Sequence, residues 1–150
     1  MNPNYQYRRR LHWGDTDAAG IVYTANYFDL CMEALEGWFV RVLETDWFSM
    51  NIDQYIGTPF VHADVDFKVP MTPRDTLIIE VTVGRLGEKS LGFKLYGYSE
   101  VSKTVTFSGN FVCCFTDTKS FQPISIPPQM RIRIEEYKNN QHLIMEGAID

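Results

Sequence analysis

Apolar residues recur along this chain with two different periods, and the change of period divides it. From Thr24 to Thr45 the spacing is helical: Tyr27, Cys31, Leu35, Trp38 and Val42 repeat at intervals of three and four. Phe28, Met32, Phe39 and Leu43 fill an adjoining face, and Asp29, Glu33, Glu36 and Arg41 leave only a narrow polar stripe. So apolar a helix is wrapped by other structure, and about 20 residues make it roughly 30 Å long. Gly37 in its middle costs about 1 kcal/mol relative to alanine, which predicts close approach of another backbone.

After Thr58 the period falls to two. Val61, Ala63, Val65, Phe67 and Val69 alternate with His62, Asp64, Asp66 and Lys68, and Pro70 and Pro73 end that strand. Thr76 to Leu86 is the next strand, with Leu77, Ile79, Val81 and Val83 on one face. A turn at Gly87-Glu88-Lys89 leads to Leu91, Phe93 and Leu95. A turn near Glu100-Val101-Ser102 leads to Val105, Phe107, Phe111, Cys113 and Phe115. Tyr5, Tyr7, Arg9, Leu11 and Trp13 alternate in the same way and predict an N-terminal strand. The loop Asp117 to Pro128 holds three of the seven prolines and opens a C-terminal tail from about residue 118, where Pro127 to Asn139 predict a short amphipathic helix.

The order is strand, long helix, then four strands, of which three consecutive ones have turn-sized connections. It predicts an α+β fold, a five-stranded antiparallel sheet wrapped around one long central helix. One domain is expected over residues 1–150. The other sheet face, with Tyr96, Tyr98, Thr106, Asn110 and Val112, is expected to be convex and uncovered by the chain itself.

Composition narrows the function classes. The formal net charge of -5 argues against a nucleic-acid partner. Cys31, Cys113 and Cys114 are odd in number, with two adjacent, which suits a reducing compartment and not a disulfide framework. No apolar run is long enough to span a membrane, and the charged N-terminus has no following apolar stretch, so the cytoplasm is the expected location.

The chemistry concentrates between Trp13 and Tyr27, WGDTDAAGIVYTANY. Asp15 and Asp17 lie two apart in a glycine-bounded loop that runs into the helix start. Free N–H groups there can hold an anion or a developing oxyanion, and a carboxylate beside them can serve acyl transfer. On residue types alone the first reading is structural, because Asp and Gly are common in loops and Asp, Thr and Asn cap helices. A calcium loop fails, since Ala19 stands where an oxygen ligand is needed and Asn26 where a bidentate Glu is needed. His12, His62 and His142 have no zinc spacing, and the adjacent Cys113-Cys114 cannot serve as a spaced pair. No nucleophile elbow or glycine-rich phosphate loop is present.

The block GDTDAAGIVYTANY, followed by a long apolar helix and a β-meander, resembles the hotdog-fold acyl-CoA thioesterases of the 4-hydroxybenzoyl-CoA thioesterase type. The resemblance runs from about Tyr5 to about Tyr137; Gly57-Thr58-Pro59 and Lys89-Ser90 agree more weakly. It implies the hotdog fold, with Asp17 as nucleophile or general base and the backbone N–H of Thr24 polarising the thioester carbonyl. Gly20, Tyr23, Tyr27, Thr58, His62, Lys89 and Ser90 are the candidate substrate contacts. Aryl-specific members carry an aromatic residue where Thr24 stands, a change that keeps the backbone donor and alters the acyl pocket. Lys89 or the Arg8–Arg10 run would meet the coenzyme A phosphates, although edge-strand protection is the simpler role for the arginines and a surface position the simpler one for His62. The implied activity is acyl-CoA hydrolysis, with aryl-CoA favoured and no cofactor or metal. A short- or medium-chain thioesterase, a hydratase and a non-catalytic acyl-CoA-binding module are the alternatives. The implied assembly is a homodimer or a dimer-of-dimers tetramer with sites between subunits.

Overall fold

The computed structural model describes residues 2–144, so both ends of the expected 1–150 domain lie outside the described residues. Its strands are β1 (Tyr5–Arg10), β2 (Ile56–Gly57), β3 (Phe60–Phe67), β4 (Thr76–Leu86), β5 (Ser90–Ser99), β6 (Val105–Cys114) and β7 (Thr116–Asp117). The five long ones form one antiparallel sheet in the order β1-β4-β5-β6-β3, as the alternation predicted. β2 and β7 pair separately, a small ladder that two residues per strand hide from pattern reading.

Helix α1 (Asn26–Trp38) lies on the concave face and continues as a π-helical turn through Phe39–Leu43. Together they make 18 residues, shorter than the expected Thr24–Thr45. Thr24 and Ala25 form the turn that enters the helix, and Glu44 ends it in the left-handed region, φ 56°. Phe39 and Leu43 of this turn are both buried in the core. Cys31, Ala34, Leu35 and Trp38 from the helix pack with Ile79, Val81, Phe93, Leu95, Phe107 and Phe111 from the sheet. Each large side chain buried this way contributes roughly 1.5–3 kcal/mol relative to exposure. Gly37 meets a side chain, not a backbone: a Cβ there would lie 2.0 Å from the Tyr5 hydroxyl oxygen.

Two helices flank this core. The sequence pattern missed α2 (Trp47–Ile52), which is one apolar turn capped by Asp46, whose carboxylate accepts from Ser49 N at 2.8 Å. The C-terminal α3 (Pro128–Asn140) falls where the tail helix was expected and buries Ile134. Beyond the start of β1, β4 has no strand neighbour on that side, and the C-terminal segment replaces it. The Tyr137 hydroxyl accepts from Tyr5 N and donates to Val81 O. The Gln141 side-chain amide then accepts from Val83 N and donates to Val83 O, both at 2.8 Å.

The convex face differs from expectation. Tyr96, Tyr98 and Thr106 are buried within the chain. Asn2, Asn4, Gln6 and Tyr98 converge on the buried Glu80 carboxylate, and Tyr96 donates to Ile144 O. The opposite sheet edge, β3, has no strand beyond it among the described residues. It ends at Phe67, short of Val69, and a register shift between Phe60 and His62 breaks the simple alternation. Val61 is therefore 67% exposed, although the period placed it on the inner face, whereas Phe67 at the strand end keeps its ring edge-on to Tyr27 and is 49% exposed.

Candidate active site

The loop between β1 and α1 is built by tight turns. Asp17 N donates to Ile21 O at 2.9 Å and Gly20 N to Asp17 O at 3.0 Å, closing a hairpin whose ends bridge at Thr16 and Val22. Gly20 takes φ +77°, the left-handed conformation that the turn requires and that glycine adopts without penalty. Val22 N donates to Met71 O, tying the loop to the segment just past β3.

The two carboxylates of this loop have different surroundings. Asp15 forms a bidentate pair with the Arg9 guanidinium, at 2.8 and 3.0 Å, and also accepts from His12 N. The Arg9 contact first, and the His12 amide with it, hold the Asp15 carboxyl below the ordinary carboxylate range. Half-buried Asp17 accepts only from Ala19 N, through Oδ1 at 2.9 Å, and has no ion pair among the described residues. One of its oxygens is free for chemistry.

The chain then enters α1. Asn26 N donates to Tyr23 O, while the N–H groups of Thr24 and Ala25 have no partner within the described chain. Exposed N–H groups at the start of a helix carry partial positive charge. Tyr23 is exposed beside them. Tyr27 is not available to a substrate: it is 5% exposed, with its ring edge-on to Phe67 and Phe107 in the core.

The other candidates gather elsewhere. Thr58 lines a mainly apolar pocket of 430 Å³ with Met32, Trp47, Asn51, Phe60 and Phe121. Lys89 and Ser90 lie at the β4–β5 turn at this same end of the sheet, where Lys89 O accepts from Phe115 N. Lys89 is exposed, and the Ser90 backbone closes the turn by accepting from Gly87 N. His62 faces solvent on the convex side, bonded to Asp64 at 2.7 Å. Arg8 and Arg9 are paired with Glu100 and Asp15, near the start of β4 and far from Lys89. Among the described residues no cluster of His, Cys, Asp and Glu is arranged to hold a metal, and no helix is long and apolar enough to cross a membrane.

Asp17, Gly20, Tyr23 and Thr24 thus sit past one end of β3, and Thr58 precedes the other. Eight strand residues separate them, roughly 25 Å of extended chain. The pocket walls supplied by Trp47 and Asn51 escaped sequence reasoning together with α2. Asp46, a capping residue three before Ser49, was the available signal.

Residues 11–134 match the family model of the thioesterase-like superfamily. The chain belongs to this superfamily and has its hotdog fold. It is 34% identical over 131 residues to a 1,4-dihydroxy-2-naphthoyl-CoA hydrolase of Trichodesmium erythraeum, covering 81% of this chain and 90% of that one. A thioesterase-superfamily structure from Jannaschia sp. CCS1 superposes with a TM-score of 0.82 at 34% identity, over 89% of this chain and 92% of that one. A solved gentisyl-coenzyme A thioesterase superposes with a TM-score of 0.74 at 31% identity, over 84% and 98%. These relatives are CoA thioester hydrolases or members of the thioesterase superfamily, and this superfamily member is a thioester hydrolase.

Proposed function

We propose that this enzyme hydrolyses acyl-CoA thioesters with Asp17 as the catalytic carboxylate, at sites completed by a second subunit. The observation that carries the reading is the unpaired Asp17 carboxylate in a loop that leads directly to the free N–H groups of Thr24 and Ala25. The thioester carbonyl accepts from Thr24 N–H, and negative charge developing on its oxygen is stabilised by donors already in place. Asp17 then acts in one of two ways. It attacks the carbonyl carbon and expels the coenzyme A thiolate, leaving a mixed anhydride that water opens. Alternatively it takes a proton from the water that attacks. Both routes consume one water and release the acid and coenzyme A. Neither calls on a metal or a cofactor.

The bare β3 edge supports the second subunit. Pairing β3 with its two-fold counterpart would continue the sheet and satisfy its open backbone groups. Because such pairing is antiparallel, it sets the Asp17 loop of one subunit beside the Thr58 pocket of the other and makes two sites per dimer. Two such dimers form the larger, tetrameric assembly. Lys89, exposed on the same end as the pocket, is the cation assigned to the nucleotide phosphates. The three unpaired thiols support a reducing location, the cytoplasm.

Aryl-CoA is the leading substrate class. The pocket walls are apolar, its 430 Å³ falls within the usual range for small-molecule sites, and the hydrolases similar to this chain act on dihydroxylated aryl thioesters. The 4-hydroxybenzoyl group is the member favoured by the motif. Thiol release from benzoyl-, 4-hydroxybenzoyl-, gentisyl-, 1,4-dihydroxy-2-naphthoyl- and straight-chain acyl-CoA tests this order. Fastest turnover of a straight chain would move the substrate class, and binding without thiol release would leave a binding module.

A further inference from the structure

We infer that Arg9 and Asp15 are positioning residues for the thioesterase reaction, a clamp that sets the Asp17 loop against the start of α1. The inference rests on the reading of Asp17 as the catalytic carboxylate. Asp15 joins three elements. Its carboxylate takes both Arg9 Nη groups from β1, at 2.8 and 3.0 Å, and the His12 amide at 2.7 Å. Its backbone carbonyl accepts from Tyr23 N at 3.0 Å and from Asn26 Nδ2, the first residue of α1, at 2.8 Å. One residue therefore holds β1, the far side of the loop and the helix entrance together, two positions before Asp17.

Arg9 extends the clamp to the body of the helix. Its Nε lies 3.6 Å from Glu33 of α1, whose carboxylate also accepts from the Tyr7 hydroxyl of β1. The Arg9 and Asp15 side chains are only 24% and 15% exposed, so solvent screens their pairing weakly. A planar bidentate contact fixes orientation as well as distance, which an ammonium group cannot do. The distance between the Asp17 oxygens and the Thr24 and Ala25 donors depends on where this loop meets the helix. Misplacement of a reacting group by about 1 Å can cost 10²-fold in rate.

The pair also has an electrostatic effect. Arg9 neutralises Asp15, so Asp17 does not share its loop with an unpaired negative charge. The other charged groups on elements packed around the loop are Arg8 and Arg10 of β1, His12, then Asp29, Glu33 and Glu36 of α1, and Lys68, Arg74 and Asp75 from the β3–β4 connection. Glu33 is held by Tyr7 and Arg9, and Asp75 by Thr72 and Ser99. Freeing Asp15 would make it the nearest unpaired anion in sequence, and a like charge raises a neighbouring carboxyl's affinity for protons.

The test is the pH dependence of kcat and kcat/KM for Arg9→Met, Arg9→Lys, Asp15→Asn and the double variant Arg9→Met/Asp15→Asn on one acyl-CoA, with Asp17→Asn alongside. Arg9→Met should lower kcat about tenfold or more, leave KM within about twofold, and move the acid limb of kcat/KM to higher pH. Arg9→Lys should restore the acid limb but only part of kcat. The double variant should be no slower than Arg9→Met and should have its acid limb back in place. If Arg9→Met does not fold, Arg9→Lys and Asp15→Asn decide through kcat alone. Wild-type kcat and an unmoved acid limb in the Arg9 variants, with Asp17→Asn inactive, would overturn this inference and leave the Asp17 reading intact. An active Asp17→Asn would overturn both.

Discussion

The two edges of the sheet are finished in opposite ways. At the β1 side the chain supplies its own cover. The Tyr137 hydroxyl sits between Tyr5 N and Val81 O, the Gln141 amide pairs with Val83, and Arg8, Arg9 and Arg10 put charge along the short edge strand. At the β3 side nothing within the described residues pairs with the outer edge, and Val61 and Phe67 stand exposed along it. An edge with buried backbone groups must be satisfied internally, whereas an open edge leaves backbone groups available for pairing. The difference lies in the backbone: one edge is closed by the chain's own side chains, and the other is left open among the described residues. The Asp17 loop is tied to the connection that leaves β3, and the Thr58 pocket opens where β3 begins.

The largest effect is expected at Asp17. Asp17→Asn should lower turnover by about 10³-fold or more while leaving KM and melting temperature close to wild type. Steady-state thiol release and thermal melting read this directly, and a variant with most of its activity would remove Asp17 from the chemistry. Next comes the open edge itself. Ala63→Lys adds a charge to β3 and should shift the particle from a multimer toward a 17.4 kDa monomer, with activity falling about tenfold or more. Light scattering beside the activity assay checks it, and an active monomer would end the shared-site idea.

The closed edge should respond in stability and not in rate. Tyr137→Phe leaves Tyr5 N and Val81 O without the bridging hydroxyl and should cost about 1–3 kcal/mol. Denaturant melts should show that loss with kcat unchanged; a loss of rate at constant stability would erase the distinction between the edges. The smallest effect concerns Asp15. Its pKa is depressed in the folded state, so its stabilising contribution is present above the unfolded carboxylate pKa, about 4, and is lost as pH falls through the folded value. The melting temperatures of wild type and Asp15→Asn should therefore differ at neutral pH and converge in acid. A gap that is constant with pH would show that the pair contributes shape and no charge.

Much of this was written in the residue pattern. Tyr27, Cys31, Leu35 and Trp38 repeat with the helical period because a helix lying on a sheet must present one apolar face to it, and all four are buried. Leu77, Ile79, Val81 and Val83 alternate because one side of β4 faces that helix. The loop with Asp17, Gly20 and Thr24 was legible because its parts are contiguous, and local turns assemble them. Where the pattern failed, a contact from a distant part of the chain had taken over. Gly37 is set by the Tyr5 hydroxyl, Tyr98 by Gln6 and Glu80, and Tyr96 by Ile144.

By itself the sequence determined the five long strands, the central helix, the antiparallel meander and the residue block from which the chemistry is proposed. Periodicity and turn chemistry are local, and local terms are what a linear pattern records. Only the tertiary structure decided which carboxylate is spent and which is free. Asp15 and Asp17 share a residue type and a loop, and they differ because Arg9, on a strand six residues earlier, reaches one and not the other. It also separated Thr58 from Asp17 by the length of β3, a distance fixed by strand geometry. Side-chain reach and strand length act through space, so no spacing along the chain encodes them.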